Sequence, residues 1–140
     1  MSYTTVLPIW DALRQRFTKT MAALPEGDLN LTLGKSSIRG LLYHTAEVEF
    51  MFAEWFFGKT KSEYPAHTSS ETLQELMELL ADSNAHLVQA MKELPEDQWD
   101  TPVESPMGSS SPLEAVGRLM YHTGMHAGQI SLIQKNGSKK

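Results

Sequence analysis

The sequence predicts an all-α protein, a bundle of four helices. Three observations carry this. Four segments space their apolar residues three and four apart, none sustains the alternation of a strand, and a proline or glycine closes each segment.

In the first segment Val6, Trp10, Leu13, Phe17 and Leu24 share a face, Pro8 is tolerated in the opening turn, and Pro25 ends it. In the second, Ser36 or Ser37 can cap. Leu41, His44, Val48, Met51 and Trp55 then follow a three-four spacing up to Gly58. Ser69 or Ser70 can cap the third, whose seam is Leu73, Met77, Leu80, Asn84, Leu87, Met91 and Leu94 before Pro95. The fourth opens at Ser111-Pro112-Leu113-Glu114, a capping box joined to a first-turn proline. Its seam is Ala115, Leu119, His122, His126, Gln129 and Ile133, with Gly137 beyond its end.

Each segment is about 20 residues, hence about 30 Å of helix. Four such rods with one apolar stripe each bury all their stripes together in a bundle. Residues 97–110, rich in Pro, Ser and Gly, read as an irregular flap, and 59–69 as a loop. A chain of 140 residues is expected to make a single domain over 1–140 and to bury about two-thirds of its unfolded surface.

Hydrophobic residues at 41% and charged residues at 21% are ordinary for a globular protein and too apolar for a disordered one. A net charge of −5, with basic residues clustered only at Lys139-Lys140, argues against a nucleic-acid surface. That pair reads as a frayed tail. The absence of cysteine excludes disulfides, thiolate metal sites and a Cys nucleophile, and leans toward a reducing compartment. No signal-like start and no long apolar run is visible, so the expectation is a soluble, cytoplasmic protein without a membrane partner.

The chain also reads as two related halves. Gly40-Leu41-Leu42-Tyr43-His44-Thr45 parallels Leu119-Met120-Tyr121-His122-Thr123, and Leu24-Pro25-Glu26 parallels Leu94-Pro95-Glu96. Two short matches in the same order suggest a duplicated helix–loop–helix unit. Such a duplication relates His44 to His122, aligns His126 with Val48, and brings the histidines toward one axis.

His122 and His126, four apart on a helix, have Cβ atoms about 5–6 Å from each other and can reach one ion. Alone the pair is weak, because one exposed and one hydrogen-bonded core histidine would look the same. His44, mid-seam on another helix, strengthens it. Three imidazoles aimed into an apolar interior need partners for their nitrogens, and one metal ion supplies a partner to all three. Both readings stand at this level.

His67, beside Pro65, and His86, off its helix's seam, are expected in solvent. Glu47 either takes a ligand imidazole's second N–H, orients a bound water, or is solvated. Gln129 either touches a ligand or is a buried amide, and Asn84 is expected to fix helix register. Gly124 and Gly128, which weaken a helix by about 1 kcal/mol each, are expected to permit close helix contact. The aromatic group Phe50, Phe52, Trp55, Phe56 and Phe57 covers more than one helix face, leaving part of it for a homodimer interface or a pocket wall.

A lone histidine after an apolar pair, then a late helix reading Tyr121-His122-x-x-x-His126-Ala127-Gly128-Gln129-Ile130, resembles the DinB-like (YfiT-like) metal-binding bundle superfamily. The resemblance covers nearly the whole chain. It implies an up-down-down-up helix order with a long crossover between the second and third helices. It also implies one divalent transition metal, nickel or zinc, on His44, His122 and His126. Some members look like transferases or isomerases that use low-molecular-weight thiols. No substrate-recognition motif carries over.

Three neutral imidazoles leave an ion's charge uncompensated and a coordination position open, as in catalytic rather than structural zinc sites. The first expectation is therefore a metal-dependent transferase that borrows a small thiol and directs it at a small electrophile. Hydrolysis with Glu47 as base is the second. A non-enzymatic metal-binding or dimerising bundle is the third.

Overall fold

The computed structural model describes residues 1–61, 63 and 71–139. Its helices are α1 (Ser2–Ala22), α2 (Ile38–Phe57), α3 (Leu73–Glu93) and α4 (Pro112–Asn136). A hairpin of β1 (Leu31–Leu33) and β2 (Ser36–Ser37) leads into α2, one of β3 (Val103–Ser105) and β4 (Gly108–Ser110) leads into α4, and β5 (Ser138–Lys139) follows α4. No helix among the described residues is long and apolar enough to cross a membrane.

Local chemistry sets the helix boundaries. Ser37 Oγ accepts from Gly40 N–H at the start of α2, and Gly58, at φ 70, closes that helix in the left-handed conformation glycine tolerates. Ser111 Oγ accepts from Glu114 N–H at the head of α4, with Pro112 behind it. α3 is capped by Thr72, whose hydroxyl accepts from Glu75 N–H while Glu75 accepts from Thr72 N–H. Ser69 and Ser70, the expected caps, lie outside the described residues, as does His67.

The two halves repeat a plan: helix, Leu-Pro-Glu, a short 3-10 helix (Glu26–Asn30 or Glu96–Gln98), a hairpin, a capping serine, a helix. Each hairpin turns on a glycine at positive φ, Gly34 at 63° and Gly108 at 93°. The two Leu-Pro-Glu glutamates cap each other's half. Glu96 accepts from Ser2 N–H at 2.8 and 3.0 Å at the start of α1, and Glu26 accepts from Leu73 N–H at 3.1 and 3.3 Å at the start of α3. With its N-terminus held this way, α1 begins earlier than its apolar seam indicates, so Pro8 lies inside it rather than in its opening turn.

The flap over 97–110 is therefore built rather than irregular. Trp99 within it is fully buried, and Leu113 N–H donates to Trp99 O at 3.0 Å. The Lys139 tail is also ordered, since β5 pairs antiparallel with β1 through Leu31–Lys139 and Thr32–Ser138. Strands of two or three residues are too short to show a period in sequence.

Two apolar clusters fill the interior. One gathers Phe17, Met21, Leu29, Ile38, Leu42, Leu80, Ile130 and Ile133. The other gathers Trp10, Phe52, Phe56, Leu87, Met91, Trp99, Ala115 and Leu119. Along α1, α3 and α4 the buried polar residues fall between the two sets: Arg14, Ser83, then Thr123 with His126. α2 adds Thr45 and Glu49 to them. Arg14 Nε meets Glu49 Oε2 at 2.6 Å, Arg14 Nη2 reaches Glu49 Oε1 at 3.1 Å and Leu80 O at 2.7 Å, and Ser83 Oγ donates to Glu49 Oε1 at 2.6 Å. Nearby, Trp10 Nε1 donates to Asn84 Oδ1 at 2.8 Å, a contact that suits the register role expected of Asn84.

Gly124 and Gly128 do not serve helix contact. A Cβ added at either would meet nothing within 4 Å, because both face outward on α4. Replacing Gly128 with Ala should therefore raise stability by about 0.5–1 kcal/mol in urea unfolding. Conversely, Glu49→Leu alone should lower it by about 3–5 kcal/mol by stranding the Arg14 cation, and adding Arg14→Met should restore most of that loss. A double variant as unstable as the single one would show that the pair's charges are not what couples these sites.

Candidate metal centre

His44 sits two turns into α2, and His122 and His126 one turn apart in the middle of α4, so the two helices need only cross face to face to bring them together. They do. The ring centroids of His44 lie 5.2 Å from His122 and 5.4 Å from His126, and those of His122 and His126 are 4.1 Å apart. One ligand-capable atom from each of the three residues lies within 4.8 Å of the others, a group that could hold a metal ion.

The cluster is not sunk in an oily interior as its seam positions imply. His126 is 5% exposed, His122 is half-buried, and the His44 side chain keeps 46% of its surface. The exposure rises from the core outward because α2 turns Glu49 inward and His44 with Glu47 toward the surface.

Two of the rings are oriented by a partner three residues on. His44 Nδ1 stands 3.1 Å from Glu47 Oε1, and His126 Nδ1 stands 2.6 Å from Gln129 Oε1. A carboxylate or amide oxygen only accepts, so each Nδ1 is the donor and Nε2 is the ring nitrogen left for an ion. Nε2 of His126 faces Nε2 of His122 at 2.9 Å. That spacing suits two donors on one ion, which at about 2.1 Å each can stand no more than about 4.2 Å apart. The donor set, three imidazoles, fits a divalent transition ion.

Burial pushes the His122 imidazolium down to about 4, with repulsion from His126 and His44 adding to it. Burial also lowers His126, against the Gln129 hydrogen bond, which favours its charged form. Both are therefore uncharged at neutral pH, as donation to a metal requires.

Beside the histidines opens an apolar cleft of about 780 Å³, walled by Val48, Met51, Phe52 and Trp55 from α2 and by Tyr121 and Met125 from α4. His44 and His122 lie in its wall, as do Arg118 and, from the β3–β4 turn, Met107. Part of the aromatic group thus lines this cleft, while Phe50, Phe56 and Phe57 are buried.

Glu47 and Gln129 both sit where the sequence allowed, each touching a histidine. The His-x-x-Glu and His-x-x-Gln spacings, side by side, were a signal for this. His86, expected in solvent, is half-buried instead, its Nε2 2.9 Å from Lys59 O and its ring 5.5 Å from Phe50. Arg118 and the flap's share of the cleft were not legible, because the cleft closes only when the hairpin folds over α4.

The DinB superfamily profile matches residues 9–130. A search of the curated proteins gives no match. Among solved structures, a DinB-like protein from Bacillus cereus ATCC 10987 superposes with a TM-score of 0.77 at 14% identity, covering 96% of this chain and 93% of that one. A mycothiol-dependent maleylpyruvate isomerase superposes with a TM-score of 0.71 at 18% identity, covering 91% of this chain and 60% of that one. A histidine-to-alanine mutant of that isomerase gives 0.73 at 16% identity with the same coverage. This chain thus spans only 60% of the isomerase's length, and at these identities the likeness is one of fold.

The depressed histidines set a pH dependence for chelator-treated protein. In the unfolded chain His122 takes its proton near 6.5, in the fold only near 4, so stability present above pH 6.5 is lost as pH falls toward 4. The carboxylates lowered by their hydrogen bonds, Glu75, Glu93 and Glu96, act only below about 4.5. The melting temperature should therefore fall between pH 6.5 and 4.5, and His122→Ala with His126→Ala should flatten that fall. An unchanged slope in the double variant would remove the histidines as its source.

Proposed function

The chain belongs to the DinB superfamily, and from that premise we propose that His44, His122 and His126 hold one divalent transition ion, nickel or zinc, in a thiol-dependent transferase or isomerase acting on a small electrophile. The observation that carries this reading is the orientation of the rings. Glu47 and Gln129 fix the Nδ1 protons of two histidines, so their Nε2 lone pairs are free for an ion at the mouth of an apolar cleft. When bound, such an ion would keep an open position and make a thiol or water placed there acidic enough to ionise near neutral pH.

The rest falls to the protein. Three neutral imidazoles leave the positive charge unneutralised, and the cleft wall of Phe52, Trp55 and Met51 excludes water from an apolar substrate. The protein has no cysteine, so the thiol comes from a cosubstrate. The fold shared with a mycothiol-dependent isomerase supports that assignment. Glu47 is read as a positioning residue acting through His44, and this engagement weighs against its use as the base of a hydrolase.

Residues 1–140 form one domain of this kind in our reading, with helices running up-down-down-up. Arg39 with Glu71 O joins the approaches to α2 and α3, and Lys59 with Glu93 joins their ends. Ser2 with Glu96 joins the start of α1 to the end of α3. A long crossover then joins α2 to α3. Exposed Tyr121 and Leu132 on α4 support a homodimer surface there.

Elemental analysis of untagged protein should find about one equivalent of nickel or zinc, lost in His126→Ala. Metal absent from both proteins would end the reading. Glu47→Gln should weaken metal binding by about tenfold or more in competition with a chelator, while leaving the fold intact by circular dichroism. In cobalt-substituted protein the visible spectrum should shift with small thiols and not with buffer anions. A spectrum indifferent to thiols would leave a metal-binding bundle without this chemistry.

A further inference from the structure

Arg118 lies one turn before His122 on α4 and lines the same cleft. Its guanidinium is held still. Nη1 donates to Ser110 Oγ at 2.8 Å and Nη2 to Met107 O at 3.0 Å, both from the flap, and Cζ lies 5.3 Å from the Phe52 ring centroid and 5.8 Å from that of Phe56. Both hydrogen-bond partners are neutral. Among the described residues no carboxylate forms an ion pair with it, although Glu114, exposed one turn away, also borders the cleft. Two of its five N–H groups are committed and three remain.

A half-buried cation with no ion-paired carboxylate, fixed by aromatic faces and two hydrogen bonds, is preorganised for a planar anion. The remainder of the cleft is apolar, with Val48, Met51, Trp55 and Met125 in its wall. We propose that Arg118 is a specificity-determining residue that binds the carboxylate of an apolar or aromatic acid, whose other end then lies toward the three histidines. This rests on the reading of the histidine cluster as the reaction centre, because that reading makes the cleft the electrophile's site. Glu114, at the rim, would disfavour a second negative charge outside the cleft and so selects for monoanions of this shape.

The probes are 4-phenylbutanoate and its neutral amide, titrated calorimetrically into chelator-treated and zinc-loaded protein. The metal-free arm removes any carboxylate binding by the ion itself. Wild-type protein should bind the acid about tenfold tighter than the amide in both forms, the gain from one charge-assisted hydrogen-bond pair. Arg118→Gln should lose that preference while still binding the amide as wild type does, and Arg118→Lys should keep part of it. The proposal is overturned if wild type shows no preference, if the preference survives in Arg118→Gln, or if Arg118→Gln weakens acid and amide equally. The last result would mean that the arginine only props the flap. Metal content and the thiol-induced cobalt shift are measured on the same Arg118→Gln protein. If they persist while the acid preference is absent from wild type, the arginine assignment fails and the thiol chemistry stands. Should they be absent from wild type while the metal-free protein still prefers the acid, the reverse holds.

Discussion

A single salt bridge, Arg14 with Glu49, governs how this bundle is assembled. A charge pair inside a core is tolerated only when nearly every donor and acceptor is used, and here Thr18, Leu80 O and Ser83 complete the set. The partners come from α1, α2 and α3, so three helices are locked in rotation and in register at one level. The fourth joins that level with Thr123 and His126. Because α2 must point Glu49 inward there, the opposite side of the same helix carries His44 out to the cleft and Glu47 to the surface beside it. The structural pair and the candidate centre are two faces of one constraint.

Much of this was legible in the residues. Four helices, their closing Pro and Gly residues, Ser37 and Ser111 as caps, and the three histidines follow from spacing and from cap chemistry. The hairpins did not, since β2 and β5 have two residues each and their geometry rests on glycine conformation rather than on alternation. Glu49 was invisible for a different reason. A glutamate on a helix is normally solvated, and only the three-dimensional arrival of Arg14 and Ser83 makes it buried. His86 went the same way: its half-burial depends on Lys59 O, which the end of α2 brings to it.

The candidate centre shows a division of labour that one-dimensional reading blurred. The seam placed all three histidines in the core, whereas they form a gradient from buried His126 to half-exposed His44. The buried end supplies rigidity through Gln129. The open end meets the cleft, where Trp55 and Tyr121 provide surface for a ligand. A centre enclosed on all sides would suit a structural ion. This one is reachable by small molecules, and its walls come from α2, α4 and the β3–β4 turn together.

The reciprocal glutamates make each half of the chain depend on the other. Glu26 belongs to the first half and steadies the second, and Glu96 does the reverse. Cut between α2 and α3, the molecule would be two similar hairpins, each donating one carboxylate to its neighbour, the exchange expected of a two-fold symmetric pair. Joined in one chain, each half meets the other at high effective concentration. The halves also share the candidate centre unequally, α2 bringing one imidazole to it and α4 two.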